Sequence, residues 1–363
     1  MIKRALLYLI GFILLLVLVI LIALMVISPG KADPIVDKQG QPIPKSISEI
    51  RQVKAGGIDQ HLIIRGENKY NPILLFLHGG PGTPEFPFMK SDELDLEKEF
   101  IVVHWDQRGA GKSYADDIPV ESMTVDQLVE DAVEITEYLK TTFNQEKIYL
   151  MGHSWGSFLG TMIAARHPQH FYSYIGIGQV CYQYKGERLS LEWIKEQAQK
   201  TGVDAASEEI NALEFPDSLA DYTTWLTFLG TERSYVNKFG GGSERKQVNV
   251  FSLYQTFILN SPEYTIGDKI KVLRGINLSM KYFWDDVMQT NLFQEIDSIS
   301  IPVHILQGVY DYQTPYVLAK DFFDHLKAPE KKFYRFEQSA HTPFKDEPEK
   351  FNTILHQIKE ALE

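Results

Sequence analysis

The pentapeptide Gly152-His153-Ser154-Trp155-Gly156 sets a hydroxyl between two glycines. It follows the apolar run Ile148 to Met151 and precedes a helix-like stretch, Phe158 to Arg166. This is the G-x-S-x-G pattern in its strand–turn–helix setting, which presents the serine as a nucleophile on a sharp, strained turn. Both flanking positions must be small, because a Cβ there would collide with the neighbouring strand or helix. The helix N-terminus beneath the serine favours the negative charge that develops during attack.

A serine hydroxyl needs a base, and the base needs an orienting carboxylate. In a sheet of this kind the chain order is serine, acid, histidine, each in a loop at a strand end. Asp311 follows the run Val303 to Leu306 in Gly308-Val309-Tyr310-Asp311, and His341 follows Phe333 to Phe336 in Ser339-Ala340-His341. They are the candidate acid and base. Asp321 and Asp324 compete for the acid role but fall on the helix that follows, and His304, His325 and His356 fall inside expected strands or helices. The loop His78-Gly79-Gly80-Pro81-Gly82 leaves its backbone N–H groups unshielded. One of these, from Gly79 or Gly80, can pair with the N–H of Trp155 as an oxyanion hole. His78 is expected to brace that loop rather than act as a base.

Trp105-Asp106-Gln107-Arg108-Gly109-Ala110-Gly111-Lys112-Ser113 ends like a phosphate-binding loop, but Asp106 stands where the first glycine of that motif is required. Asp106 and Arg108 are expected to form a buried pair fixing the turn beside the site. The single cysteine, Cys181, cannot form an intrachain disulfide, no Cys/His cluster has zinc spacing, and the thiol reads as buried and inert. No metal and no organic cofactor is implied, since acyl hydrolysis needs only water.

These residues demand an α/β framework. Ile73 to Leu77, Phe100 to Trp105, Ile148 to Met151, Ile301 to Leu306 and Lys332 to Phe336 are short apolar runs. Continuous rather than alternating apolarity predicts parallel strands covered on both faces. Ile47 to Val53 and Ile58 to Arg65, separated by Gly56-Gly57, predict a hairpin. Val125 to Phe143 carries Leu128, Ala132, Ile135 and Leu139 at helical spacing, with Thr124 and Gln127 in a capping-box pattern. Tyr316 to Leu326 and Pro348 to Leu362 read as further helices. Strands alternating with helices predict an α/β-hydrolase sheet, mostly parallel, with helices on both faces. Between about 180 and 296 the rhythm breaks. Ser190 to Thr201, Ala220 to Leu229, Val248 to Asn260 and Asn277 to Met288 read as helices of a cap, with a hinge at Gly240-Gly241-Gly242. The expected division is 1–30 anchor, 31–46 linker, 47–179 with 297–363 core, and 180–296 cap.

The chain has 363 residues, 44% hydrophobic and 23% charged, an ordinary globular mix. Once the anchor is set aside, about 330 residues remain, enough for a core and an insertion. A net charge of −12 without a long basic run excludes nucleic acid as partner. Ala5 to Ile27 is uncharged and apolar save for Tyr8 and Gly11. At 1.5 Å per residue its roughly 23 residues cross a hydrocarbon core of about 30 Å. Lys3 and Arg4 before it predict a cytoplasmic N-terminus and a catalytic domain on the outer face. A cleaved signal peptide is the competing reading. It would have a shorter apolar region ending in small residues, whereas the exit here is Met25-Val26-Ile27-Ser28-Pro29-Gly30.

Taken together, HGGPG at 78–82, WDQRGAGKS at 105–113, GHSWGS at 152–157, GVYD at 308–311 and SAH at 339–341 resemble the proline iminopeptidase (prolyl aminopeptidase) branch of the α/β-hydrolases. The resemblance covers roughly Ile47 to Leu362. It implies Ser154, Asp311 and His341 as the triad, the backbone of Gly80 and Trp155 as the oxyanion hole, and a small peptide as substrate. It also implies cap glutamates that hold the substrate's α-amino group, for which Glu187, Glu192, Glu214 and Glu232 are the candidates. His153 departs from the small residue that members usually carry before the serine, and a membrane anchor departs from the soluble members. An ester or lactone substrate with the same triad is the alternative, and a tethered, non-catalytic binding protein the remote one. Ser154 in the elbow argues against epoxide hydrolase or dehalogenase chemistry, which needs a carboxylate there.

Overall fold

The computed structural model describes residues 2–361 apart from 92, 203, 248–254, 258 and 260. The predicted hairpin forms: β1 (Ile47–Ala55) and β2 (Ile58–Gly66) pair antiparallel, and β2 pairs antiparallel with β4 (Ile101–Asp106). The remaining strands are parallel: β3 (Ile73–Leu77), β4, β5 (Ile148–His153), β6 (Phe171–Ile177), β7 (Val303–Gly308) and β8 (Lys331–Phe336). The sheet runs in the order β1-β2-β4-β3-β5-β6-β7-β8. Every residue of β3, β4, β5 and β7 is buried. Successive side chains of β3 enter opposite layers. Ile73, Leu75 and Leu77 join one core, and Leu74 and Phe76 join the other. That explains why these strands read as unbroken apolar runs.

β6 was not foreseen. Its sequence, Phe-Tyr-Ser-Tyr-Ile-Gly-Ile, is broken by Ser173 and Gly176. The Tyr174 hydroxyl is satisfied internally, 2.7 Å from the Ser157 carbonyl and 2.9 Å from Gln179 Oε1. A polar residue buried with its partners in place looks like a loop residue in the sequence and a core residue in the fold.

Helices α2 (Val125–Phe143), α3 (Trp155–Arg166) and α7 (Tyr316–His325) cover one face, and α8 (Pro348–Glu360) the other. Thr124 Oγ1 accepts the Gln127 N–H at 3.2 Å, but the Gln127 side chain turns to Asp131 instead of back to the cap. Half of the predicted capping box is therefore present. Between β6 and β7 lie α4 (Gln183–Thr201), α5 (Tyr222–Lys238) and α6 (Ile266–Gln289), which share a core of Ile194, Trp225, Phe228, Val236, Trp284 and Met288. Three of the predicted helices here are recovered, in longer elements. The fourth, Val248 to Asn260, falls largely outside the described residues. The glycines at 240–242 serve as a strut: the Tyr312 N–H donates to Gly241 O at 3.0 Å, and the His341 N–H to Gly242 O at 3.1 Å.

The expected Asp106–Arg108 pair does not form. Arg108 reaches past the hairpin turn and places Nε and Nη2 each 2.8 Å from an Asp131 oxygen on α2, with both side chains fully buried. Gly56 makes room, since a Cβ there would lie 1.9 Å from Asp131 Oδ1. Asp106 closes its own turn instead, accepting the Lys112 N–H and the Tyr264 hydroxyl, each at 2.8 Å. Burial pushes its carboxyl up to about 7. A bidentate guanidinium–carboxylate fork outcompetes a neighbour two residues away whose oxygens are already engaged. Asp131→Ala strands a buried guanidinium and is expected to cost about 3–5 kcal/mol. Denaturant unfolding checks it, with Asp131→Asn falling between the two.

Helix α1 (Ile2–Ile27) is long and apolar enough to span a membrane, with a mean hydropathy of 3.6 over its most apolar 18 residues. None of its apolar stretch is covered by the rest of the protein.

Candidate active site

Ser154 sits where β5 turns into α3, at φ 54° and ψ −124°. Asn144 and Ser154 are the two non-glycine residues with positive φ among those described. Asn144 merely ends α2, whereas Ser154 is held in its strained turn at the centre of the sheet. A Cβ on Gly152 would come within 2.1 Å of Gly156 O, and one on Gly156 within 2.0 Å of Leu77 O. The structure thus supplies the steric reason for both glycines, and the turn pushes the hydroxyl outward.

Asp311 and His341 come to the same strand ends. Asp311 Oδ1 accepts the N–H groups of Gln313 and Thr314, each at 2.9 Å. Oδ2 accepts Gln307 Nε2 at 2.8 Å and Thr314 Oγ1 at 2.7 Å, and lies 2.8 Å from His341 Nδ1. A carboxylate so placed accepts the Nδ1 proton, which leaves Nε2 with a free lone pair. Ser154 and His341 line one cavity of ≈ 370 Å³ with Gly79, Gly80 and Glu85.

In the glycine loop, the Gly79 N–H donates to Glu85 Oε2 at 3.0 Å, which leaves the Gly80 N–H as the loop donor to set beside that of Trp155. His78 braces the loop: the Gln107 N–H donates to its Nε2 at 3.2 Å, and its Nδ1 lies 2.9 Å from Gly79 O. Burial lowers its pKa to about 4, so the brace is neutral. Gln107 also holds Trp155, accepting the indole N–H at 2.9 Å.

Glu85 and His153 went unrecognised in the sequence. His153 Nδ1 lies 2.7 Å from Glu85 Oε1, and Nε2 lies 3.0 Å from the His341 carbonyl. With an oxygen acceptor at each nitrogen, the ring is satisfied only when doubly protonated. Burial opposes that charge, the Glu85 carboxylate outweighs the burial, and the His153 pKa rises above 6.5. Burial would likewise raise Glu85, but the charge and hydrogen bond of His153 prevail and hold it below 4.5. One ring thereby joins the glycine loop to the loop of His341. No spacing rule links positions 85, 153 and 341; the departure at His153 was the one visible sign.

The pair carries a pH signature. The folded pKa of His153 is raised, so its contribution is complete below 6.5 and lost as pH climbs through the folded value. The folded pKa of Glu85 is depressed, so its contribution is present above 4.5 and lost as pH falls. Glu85→Gln is therefore expected to cost most between these two values, about 1.5–3 kcal/mol. Stability measured against pH should show the gap to wild type narrowing on the alkaline side.

Of the four candidate glutamates, Glu192 and Glu214 are exposed. Glu187 on α4 and Glu232 on α5 are fully buried, and both pair with Arg233. Ser190 Oγ also donates to Glu232, and Gln183 Nε2 donates to Glu187 Oε1 at 2.6 Å. Burial pushes Glu232 up to about 7, against the pull of Arg233 and with the help of Glu187. Arg233 lines a second, smaller cavity of ≈ 90 Å³ with Gly80, Ser154, Trp155, Trp284 and Gln313. Glu187 Oε2 has no hydrogen-bond partner among the described residues. No three His, Cys, Asp or Glu side chains are gathered as a metal site among those residues. Cys181 is buried, and burial drives its thiol pKa far upward, which keeps it inert.

Residues 72–348 match the family described as alpha/beta hydrolase fold. The chain is 34% identical over 328 residues to the probable aminopeptidase YbaC of Bacillus subtilis (strain 168), covering 88% of this chain and 99% of that protein. It is 26% identical over 305 residues to a proline iminopeptidase of Clostridioides difficile (strain 630), covering 82% and 94%. Among solved structures, proline iminopeptidase from Mycobacterium smegmatis superposes with a TM-score of 0.60 at 18% identity, covering 87% of this chain and 100% of that one. An epoxide hydrolase from Bacillus megaterium reaches 0.52 at 19% identity, covering 85% and 99%. These two structural likenesses speak for the fold alone.

Proposed function

The chain belongs to the α/β-hydrolase family and is a hydrolase, and we propose that it is a membrane-anchored serine aminopeptidase that releases N-terminal residues from small peptides. The observation that carries this reading is the cluster behind the smaller cavity, where two buried carboxyl groups, Glu187 and Glu232, share the one guanidinium of Arg233. With both carboxyl groups ionised the cluster is one positive charge short, and in this reading a substrate's α-ammonium group supplies it. Glu187 and Glu232 are then the amine-binding residues, and Glu192 and Glu214 are not. In sequence and coverage the probable aminopeptidase of Bacillus subtilis supports the same reading.

The chemistry of this reading is acyl transfer through Ser154. His341 Nε2 takes the Ser154 proton as Oγ attacks the carbonyl carbon of the first residue. Asp311 holds the imidazolium that results. The oxyanion receives the N–H groups of Gly80 and Trp155, each worth about 3 kcal/mol in the transition state. His341 then passes its proton to the leaving amine, the C–N bond breaks, and an ester to Ser154 remains. Water, deprotonated by His341, cleaves that ester and returns the proton to Ser154. Helix α1 anchors the protein, and Lys3 and Arg4 keep its short N-terminus on the cytoplasmic side.

The test compares alanine and proline arylamides bearing a free amine with their N-acetyl forms. The free-amine substrates should be preferred, and Glu232→Gln should lower their kcat/KM by about 10- to 100-fold, the worth of a charged hydrogen bond. The N-acetyl substrates and simple esters should be unaffected. Since Glu232 carries its charge above about 7, binding of the ammonium form strengthens as pH rises toward that value. Glu232→Gln should therefore remove this part of the acid limb and leave the part that belongs to the base. Turnover of esters without hydrolysis of any arylamide would leave the esterase reading, which the apolar wall of the larger cavity favours: Phe88, Phe257, Val272, Ile276 and Phe344 line it.

A further inference from the structure

The chain does not leave α1 as a loose tether. Ser28 Oγ accepts Lys269 Nζ at 2.7 Å, and the Gly30 N–H donates to Pro262 O at 2.8 Å. Gly30 is packed so closely that a Cβ would meet Thr265 Cγ2 at 2.5 Å. Three residues on, Asp33 and the buried Glu263 share the ammonium of Lys90, at 3.1 and 2.8 Å. Within six residues of its apolar end, α1 is fastened to the start of α6.

That attachment fixes what faces the bilayer. Ile270 and Leu273, each 51% exposed, follow Lys269 on α6, and Leu259, two residues beyond the Phe257 that clusters with Val272, is 44% exposed. At 1.5 Å per residue, Leu273 stands only about 6 Å along the helix from Lys269. The headgroup layer on one side of a bilayer is comparably thick, about 5–7 Å. Leu273 also belongs to the wall of the larger cavity, beside Phe257, Val272 and Ile276. The apolar patch is thus continuous with the lining of the cavity that holds Ser154. The segment Lys269-Ile270-Lys271-Val272-Leu273-Arg274 sets basic side chains among these apolar ones, the composition that suits a face lying in a headgroup layer.

We propose that this face, Leu259, Ile270 and Leu273, rests in the lipid headgroup layer and opens the larger cavity toward it, so that the enzyme takes amphiphilic substrates whose apolar portion is partitioned into the bilayer. The inference rests on the anchoring role of α1, and it holds whether the bond cleaved is an amide or an ester.

The full chain is reconstituted in phosphatidylcholine vesicles. Ile270→Cys is labelled with an environment-sensitive fluorophore, with Cys181 buried and unreactive. Val317→Cys serves as the comparison, because Val317 is equally exposed at 51% but lies on α7 beside the opposite edge of the sheet. A spin-labelled lipid should quench the label at 270 and leave that at 317 emitting, with aqueous iodide doing the reverse. The variant Leu259→Glu/Ile270→Glu should lose about tenfold in kcat/KM on a long-alkyl peptide amide and on a long-chain ester. Its rate on a short soluble ester should remain that of wild type. Equal quenching at both positions, or equal losses on short and long substrates, overturns the proposal. A chain that cleaves long esters but no amides fails as an aminopeptidase and leaves this inference standing.

Discussion

Alanine in place of Ser154 is expected to lower kcat by about a millionfold, to the level left by binding and the oxyanion donors alone. Labelling by a fluorophosphonate should disappear with it. The size follows from the proposed roles: without Oγ no acyl-enzyme forms, and the remaining groups can only direct water at the far less reactive amide. The loss is chemical rather than structural, and the backbone shows why. Ser154 occupies φ 54°, ψ −124°, a conformation that costs a residue with a Cβ about 1–3 kcal/mol and that alanine adopts at the same expense. Ser154→Ala should therefore unfold where wild type does. Ser154→Gly should lose the same activity while gaining roughly 1 kcal/mol in stability, since glycine is at ease there. A protein more stable without its serine is the mark of strain kept for function. Wild-type turnover in either variant would remove Ser154 from the mechanism.

How far the site could be read beforehand depended on how its residues are held. Ser154, Asp311 and His341 are legible as candidates because each follows a parallel strand; β5 and β7 are buried throughout, whereas edge strand β8 carries Lys331, Lys332 and Arg335 and shows only Phe333, Tyr334 and Phe336 as its apolar signal. Gly152 and Gly156 are equally legible, since contacts near 2 Å at a Cβ admit no other residue. The groups that escaped are those whose partners are remote in sequence. Nearness in sequence points Arg108 to Asp106. Asp131 was passed over because it lies inside a good helix pattern, although its fork to Arg108 is the better bond. Glu85 and His153 meet only because the glycine loop and the elbow are adjacent in space. β6 was missed for a related reason: Tyr174 and Ser173 are polar residues fully buried, and the hydrogen bonds of Tyr174 come from α3 and from Gln179 beyond the strand end. The candidate glutamates could be named but not ranked. Helical spacing alone does not distinguish Glu187, buried four residues after Gln183, from Glu192, exposed on the same helix.

The second large effect concerns Asp311, whose five close contacts leave its carboxylate no freedom to turn. Asp311→Asn keeps the size of the side chain and changes only what it offers. Oδ1 accepts the N–H groups of Gln313 and Thr314, so the amide oxygen of asparagine must take that position. The NH₂ group then falls at the place of Oδ2, facing His341 Nδ1 and Gln307 Nε2. Facing a donor, His341 moves its own proton to Nε2, the nitrogen that the proposed mechanism needs bare to accept from Ser154. The base is present, correctly placed and in the wrong tautomer. A loss of about ten-thousandfold in kcat is expected, with KM nearly unchanged, because nothing that touches the substrate has moved. Nitrogen NMR of the imidazole separates this account from simple disorder. The proton should sit on Nδ1 in the wild type and on Nε2 in Asp311→Asn, with the ring fixed in both. If His341 in the variant keeps its proton on Nδ1 while activity still collapses, tautomer control is not what Asp311 provides, and its part lies in stabilising the imidazolium charge alone.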